Sequence, residues 1–188
     1  MKKIFSILLA VTMLASMATV ASAAENTTTL ATTVPAATYT LNIPADQEIP
    51  FGTTHSNIGN IKITDANGFA VGKNLEVTVT YDAFTSNDVA TQIPYTLSLY
   101  AEKYSNNYSG SYEEKNQELP SGSSIIFKGL SSGAVDNNIK IETTYLSGGT
   151  LMVPVDYIGF NAKSDDWGKA LGGEYTATIT FTAEVVAG

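Results

Sequence analysis

Apolar and polar residues trade places at every step along most of this chain. Tyr39, Leu41 and Ile43 alternate with Thr40 and Asn42, and Ile61 and Ile63 open a second such stretch. Leu75, Val77, Val79 and Tyr81 alternate with Glu76, Thr78 and Thr80; Ile93, Tyr95, Leu97 and Leu99 alternate with Thr96 and Ser98. Ile139, Ile141 and Thr143 form a further row, followed by Leu151, Val153, Val155 and Tyr157. The longest run is the last: Tyr175, Ala177, Ile179, Phe181, Ala183 and Val185 on one parity, Thr176, Thr178, Thr180, Thr182 and Glu184 on the other. A period of two predicts strands with one buried and one wet face, and such strands belong to antiparallel sheets. Turn signals separate them at Asn67-Gly68, Gly72-Lys73-Asn74, Ser132-Gly133, Asp136-Asn137-Asn138, Ser147-Gly148-Gly149 and Gly172-Gly173. Because Ser147-Gly148-Gly149 lies between two rows, it predicts a hairpin. About eight strands of this kind predict an all-β domain, an antiparallel two-sheet β-sandwich of the Ig-like or Greek-key type, with a barrel as the alternative closure. The one helical signal is residues 164–171, a single turn with Ser164 as its cap and Asp165 and Asp166 in its first turn.

The first 23 residues break this rhythm. Met1-Lys2-Lys3 is positive, Ile4 to Val20 is apolar or small, and Ala21-Ser22-Ala23 has the small-x-small form that signal peptidases cut. In that order these are the parts of a secretory signal peptide, spanning residues 1–23. Residues 24–36 are rich in Thr and Ala and close at Pro35, which predicts a flexible leader. Residues 37–188 then form a single β-sandwich domain. No second apolar run in the sequence has the length of a membrane span, so the expected location is secreted or extracellular, either released or held at the cell wall by non-covalent contacts.

Composition narrows the chemistry. The chain has no cysteine, which removes disulfides, thiolate catalysis and Cys-based metal sites. Its net charge is −8, it has no arginine, and its lysines are scattered. A surface that tracks phosphates needs clustered basic groups, so nucleic acid is not an expected partner. His55 is the only histidine, follows Gly52-Thr53-Thr54, and lacks a nucleophile signature around it; it reads as a solvent-facing loop residue. Asp165-Asp166 and Glu113-Glu114 are the only adjacent acidic pairs, one suited to a helix start and the other to a polar loop, so neither marks a glycosidase. Asp65-Ala66-Asn67-Gly68 and Asp136-Asn137-Asn138 offer oxygen ligands for calcium, but Asx-rich turns form readily without metal. The outward Thr row of the last run reads as an ordinary wet strand face. Trp167 reads as a lid on the sandwich edge. The expectation is a protein that is not an enzyme and that has no catalytic residue, cofactor or metal.

Residues 102–121 form the one long polar interruption, and they hold the candidate binding residues. Tyr104, Asn107, Tyr108 and Tyr112 combine aromatic rings with amides. Rings stack on apolar sugar faces or partner surfaces, and amides satisfy hydroxyls.

Two stretches resemble a known family. Phe51-Gly52, then Ile61-Lys62-Ile63-Thr64-Asp65-Ala66-Asn67-Gly68 and Leu75-Glu76-Val77-Thr78-Val79, are similar to the first half of the WxL cell-wall-binding domains of Gram-positive Firmicutes. The closing strand of that family resembles Gly173-Glu174-Tyr175-Thr176-Ala177-Thr178-Ile179-Thr180-Phe181-Thr182-Ala183, with Phe181-Thr182-Ala183 where the family has Trp-x-Leu. The same pattern ends pilin-like surface sandwiches. The resemblance implies a cell-surface β-domain associating with cell-wall glycan or with an extracellular protein or glycan. The alternative is a self-associating, pilus-like or matrix subunit: Leu30, Thr32 and Val34 share one parity, so the leader can add as a donor strand to a neighbouring molecule.

Overall fold

The computed structural model describes residues 36–69, 71–105, 112–144 and 150–188, with the backbone alone at 102–105, 112–114, 143–144 and 150–151. Eleven strands are described: β1 (Thr38–Asn42), β2 (His55–Gly59), β3 (Lys62–Asn67), β4 (Lys73–Tyr81), β5 (Thr96–Ser105), β6 (Tyr112–Leu119), β7 (Ser123–Lys128), β8 (Lys140–Thr144), β9 (Thr150–Pro154), β10 (Tyr157–Asn161) and β11 (Ile179–Ala187). One helical turn, α1 (Ser164–Trp167), stands between the last two. The fold is all-β and sandwich-like. A four-stranded sheet runs β2-β10-β5-β6 and a three-stranded sheet runs β11-β4-β7, with the pairs β1-β3 and β8-β9 beside them. Every described pairing is antiparallel.

The core follows the alternation. In β4, Leu75, Val77 and Val79 are fully buried, and Ile125 and Phe127 of β7 join them. From the other sheet come Leu97, Leu99 and Ala101 of β5 and Ile158 and Phe160 of β10, all in the same hydrophobic cluster. Ile58, Ile61 and Ile63 extend it. Burying these side chains contributes roughly 1.5–3 kcal/mol each, so the two facing sheets carry most of the stabilisation.

Several expectations need correction. Eleven strands replace about eight, because β2, β6 and β7 lack clean alternation: HSNIG has one aliphatic residue, YEEKNQEL is charged, and SSIIFK places two isoleucines side by side. Residues 102–121 are not one long loop. Most of them form a β5–β6 hairpin with a register shift between Ala101 and Tyr104. Ile43 does not continue the inward row of β1; the strand ends at Asn42, Pro44 follows, and Ile43 is exposed. The row from Leu151 to Tyr157 is also broken. β9 ends at Pro154, the amide of Asp156 donates to Tyr100 O, and the chain re-enters as β10 with Ile158 and Phe160 inward. Tyr157 therefore lies on the opposite face from the core. In α1 the capping position belongs to Lys163, with no side-chain cap bond, and Ser164 is inside the turn. β8 and β9 pair as the predicted hairpin requires, while the Ser147-Gly148-Gly149 turn lies outside the described residues.

Candidate functional site

Of the four tyrosine-and-amide candidates, Tyr104 lies on β5 opposite Glu113, and Tyr112 lies on β6 opposite Ser105. The hairpin brings their backbones to adjacent positions. Asn107 and Tyr108 lie outside the described residues.

Among the described residues, a groove forms elsewhere. One wall is the segment 43–51, where Pro44 and Pro50 withhold the N–H groups a sheet would use. Gln47 pins this wall by donating from Nε2 to Ile58 O at 2.9 Å. At its end, Thr53 N donates to Pro50 O at 3.1 Å across a turn in which Gly52 has a φ of +81°, a conformation that favours glycine. The opposite wall runs from Leu171 to Phe181. The groove has a wide mouth of about 730 Å³, lined by Phe51, Trp167, Leu171 and Tyr175 with Gln47, Glu48 and Glu174 among its polar groups. It continues into a narrower stretch of about 260 Å³ between Ile43, Ile49, Ala177, Ile179 and Phe181. Gln47, Ile49, Phe84 and Ala177 line both.

Trp167 is the fixed floor of the mouth. Its Nε1 donates to Thr53 O at 2.8 Å, and its buried ring packs beside Phe84. Phe51 stands edge-on to it, with ring centroids 5.5 Å apart, yet is 77% exposed. Leu171 across the mouth is 58% exposed. Tyr175 donates its hydroxyl to Leu171 O at 3.0 Å, which steadies the rim. Tyr95 lines the narrower stretch, stacked on Tyr81 at 5.2 Å. Its buried hydroxyl has no hydrogen-bond partner among the described residues. Burial first, then the neighbouring Tyr81 and Asp82, push that phenol up to about 12.

The outer face of the four-stranded sheet is organised differently. His55 is on strand β2 rather than in a loop, and although exposed it has both ring nitrogens engaged. Nδ1 lies 3.0 Å from Asn161 Oδ1 and Nε2 lies 3.2 Å from the Tyr157 hydroxyl. An amide oxygen only accepts, so Nδ1 carries the proton and Nε2 accepts from Tyr157. Tyr100 donates to the same Asn161 oxygen at 2.8 Å, and Asn161 Nδ2 reaches Ser98 Oγ at 3.3 Å. Tyr100 and Tyr157 stack with centroids 4.9 Å apart and rings 1° from parallel. The ring of Tyr100 lies over Gly159, where a Cβ would collide with it. Ser98 contacts the amide rather than the imidazole, so the arrangement is a closed hydrogen-bonded patch and not a nucleophile paired with a base. Sequence reasoning missed it because Ser98, Tyr100, Tyr157, Gly159 and Asn161 come together only through the pairing of β10 with β5.

The Asx turns serve the fold. Asn137 clamps Ile63 from both sides, accepting from its N–H and donating to its carbonyl, each at 2.7 Å. Asp136 accepts from Asn138 N at 2.9 Å, and Asn67 from Gly68 N at 2.8 Å. Asp65 holds the left-handed conformation with φ +53°. Among the described residues, no three His, Cys, Asp or Glu side chains gather as metal ligands would.

Compared with family models, with curated proteins and with solved structures, the chain matches none.

Proposed function

We propose that this chain is a secreted, non-catalytic cell-surface domain whose work is binding, with cell-wall glycan as its partner at the groove mouth. The observation that carries the reading is Phe51: a large aromatic ring left exposed beside the rigid Trp167 floor, at the opening of a groove of about 730 Å³. Aromatic edges and faces suit the apolar faces of sugar rings, and the amide of Gln47 with the carboxylates of Glu48 and Glu174 suits their hydroxyls. The saturated His55 patch offers no comparable opening. The resemblance of the Phe51-Gly52 region and the closing strand to wall-binding domains supports the same partner.

The direct test is sedimentation with purified Gram-positive cell walls. The exported chain is expected to pellet with the walls at several salt concentrations, and Phe51→Ala to reduce the bound fraction severalfold without loss of structure. Absence of co-sedimentation at every salt concentration sinks the proposal.

A further inference from the structure

β11 is an edge strand with few of the usual guards: among the described residues, one side chain reaches its backbone, the Tyr39 hydroxyl, which donates to Ala183 O at 3.4 Å. Among the described residues it pairs only with β4, through nine consecutive positions without a register shift. Edges of this length are ordinarily blunted by lysine, proline, a bulge or a covering segment. Ile179–Ala187 contains no lysine and no proline, and Glu184 is its one charged residue. One of the two outer strands of the other sheet shows the contrast, since β6 carries Glu113, Glu114, Lys115 and Glu118 within eight residues. Beside β11 the narrow stretch of the groove is open along Ala177, Ile179 and Phe181.

We infer that this edge and groove accept a strand from a second copy of the chain, and that the strand is its leader, residues 24–36. The leader has the right chemistry. From Asn26 to Ala36 it carries no charge, so it meets a chain of net charge −8 without repulsion. It is rich in β-branched residues, with Thr27, Thr28, Thr29, Thr32, Thr33 and Val34. Leu30 and Val34 share one face of an extended strand, about 13 Å apart. Ile179 and Ala183 have the same four-residue spacing on β11. Leu30 and Val34 thus serve as pegs in the groove, while Thr29, Ala31 and Thr33 face water. Pro35 ends the pairing by withholding an N–H. Main-chain bonds to the open edge supply affinity and the pegs supply register. Leader-to-groove contact is head-to-tail, which propagates into open filaments unless the rotation closes. The inference does not rest on wall binding, because it uses the narrow stretch and the edge and leaves Phe51 at the mouth clear.

The test is analytical ultracentrifugation of the exported chain over a concentration series. Concentration-dependent assembly is expected, weakened at least about tenfold by Leu30→Asp with Val34→Asp. Because the chain has no cysteine, single-cysteine variants then locate the contact. Mixing Val34→Cys with Ile179→Cys is expected to give several times more mixed disulfide than mixing Val34→Cys with Ile126→Cys, which lies on the outward face of β7. A chain that remains monomeric throughout overturns the inference. So does assembly unaffected by the two aspartates, or equal cross-linking of the two mixtures. Wall binding that survives these outcomes leaves the Phe51 proposal intact, so the two fail separately.

Discussion

Phe127 and Phe181 occupy the same three-stranded sheet, one strand to either side of β4, and both pack against the core. Phe127 of β7 is fully buried; Phe181 of β11 is only half-buried, and Val185 farther along the same row is 36% exposed. The alternation on β11 is the clearest in the sequence, yet its burial is the poorer. The reason lies opposite it. The segment 43–51 has two prolines and no strand of its own, so it flanks β11 across a groove instead of pairing with it. Period two fixes which side chains share a face, and the neighbouring chain decides whether that face is closed.

Truncation of the two rings measures the difference. Phe127→Ala is expected to cost about 3–5 kcal/mol in urea unfolding, the usual loss for a fully buried ring. Phe181→Ala should cost about 1–2 kcal/mol, because part of its surface is in water already. Equal losses would mean that β11 is covered and the groove closed.

The outer face of the four-stranded sheet sharpens the contrast from the other side, since there the polar groups are fully engaged. Gly159→Ala places a methyl group against the Tyr100 ring, which is held by its stack on Tyr157 and its bond to Asn161. The expected loss is about 2–3 kcal/mol by overpacking, with a matching fall in melting temperature. A neutral result would show the patch to be loose and the distinction between the two regions too sharply drawn.

How much of this was legible beforehand differs by element. The rows of β4, β5 and β11 were readable because their alternation is strict. β7 was not, because Ile125 and Ile126 adjoin and one of them points outward. β2 escaped because it holds one inward aliphatic residue, Ile58. The aromatic Phe51 was visible as part of a resemblance, but its exposure beside Trp167 depends on residues more than a hundred positions apart. The groove was illegible for the same reason. It is the space between an irregular segment and an edge strand, and no local pattern specifies a space.

Tyr95 sits where the closed core meets the open groove, and its titration tests how dry that boundary is. In the folded chain its phenol is held up to about 12, against an ordinary value of 10.0. Above pH 10 the unfolded chain sheds this proton while the folded chain keeps it. Stability is therefore unaffected below pH 10 and falls as pH rises toward 12, by about 2 kcal/mol in total. Tyr95→Phe should remove that fall, measured as the difference between the two chains in denaturant midpoint from pH 9 to 12. A loss well under about 1 kcal/mol would mean that water reaches the phenol through the groove.

The smallest expected effect on stability bears most directly on why the two sheet edges differ. Replacing Glu113, Glu114 and Glu118 of β6 with threonine should change unfolding free energy by less than about 0.5 kcal/mol. It should nevertheless leave β6 with a single charged residue, Lys115, as β11 has only Glu184. If charge is what keeps β6 solitary, the variant gains an assembly that the Leu30→Asp and Val34→Asp changes cannot suppress, because that assembly no longer needs the leader. If the variant stays as dispersed as the parent chain, charge is not the deciding difference. The groove beside β11 is then what makes one edge receptive, since it offers side-chain pockets that a bare row of amides and carbonyls does not.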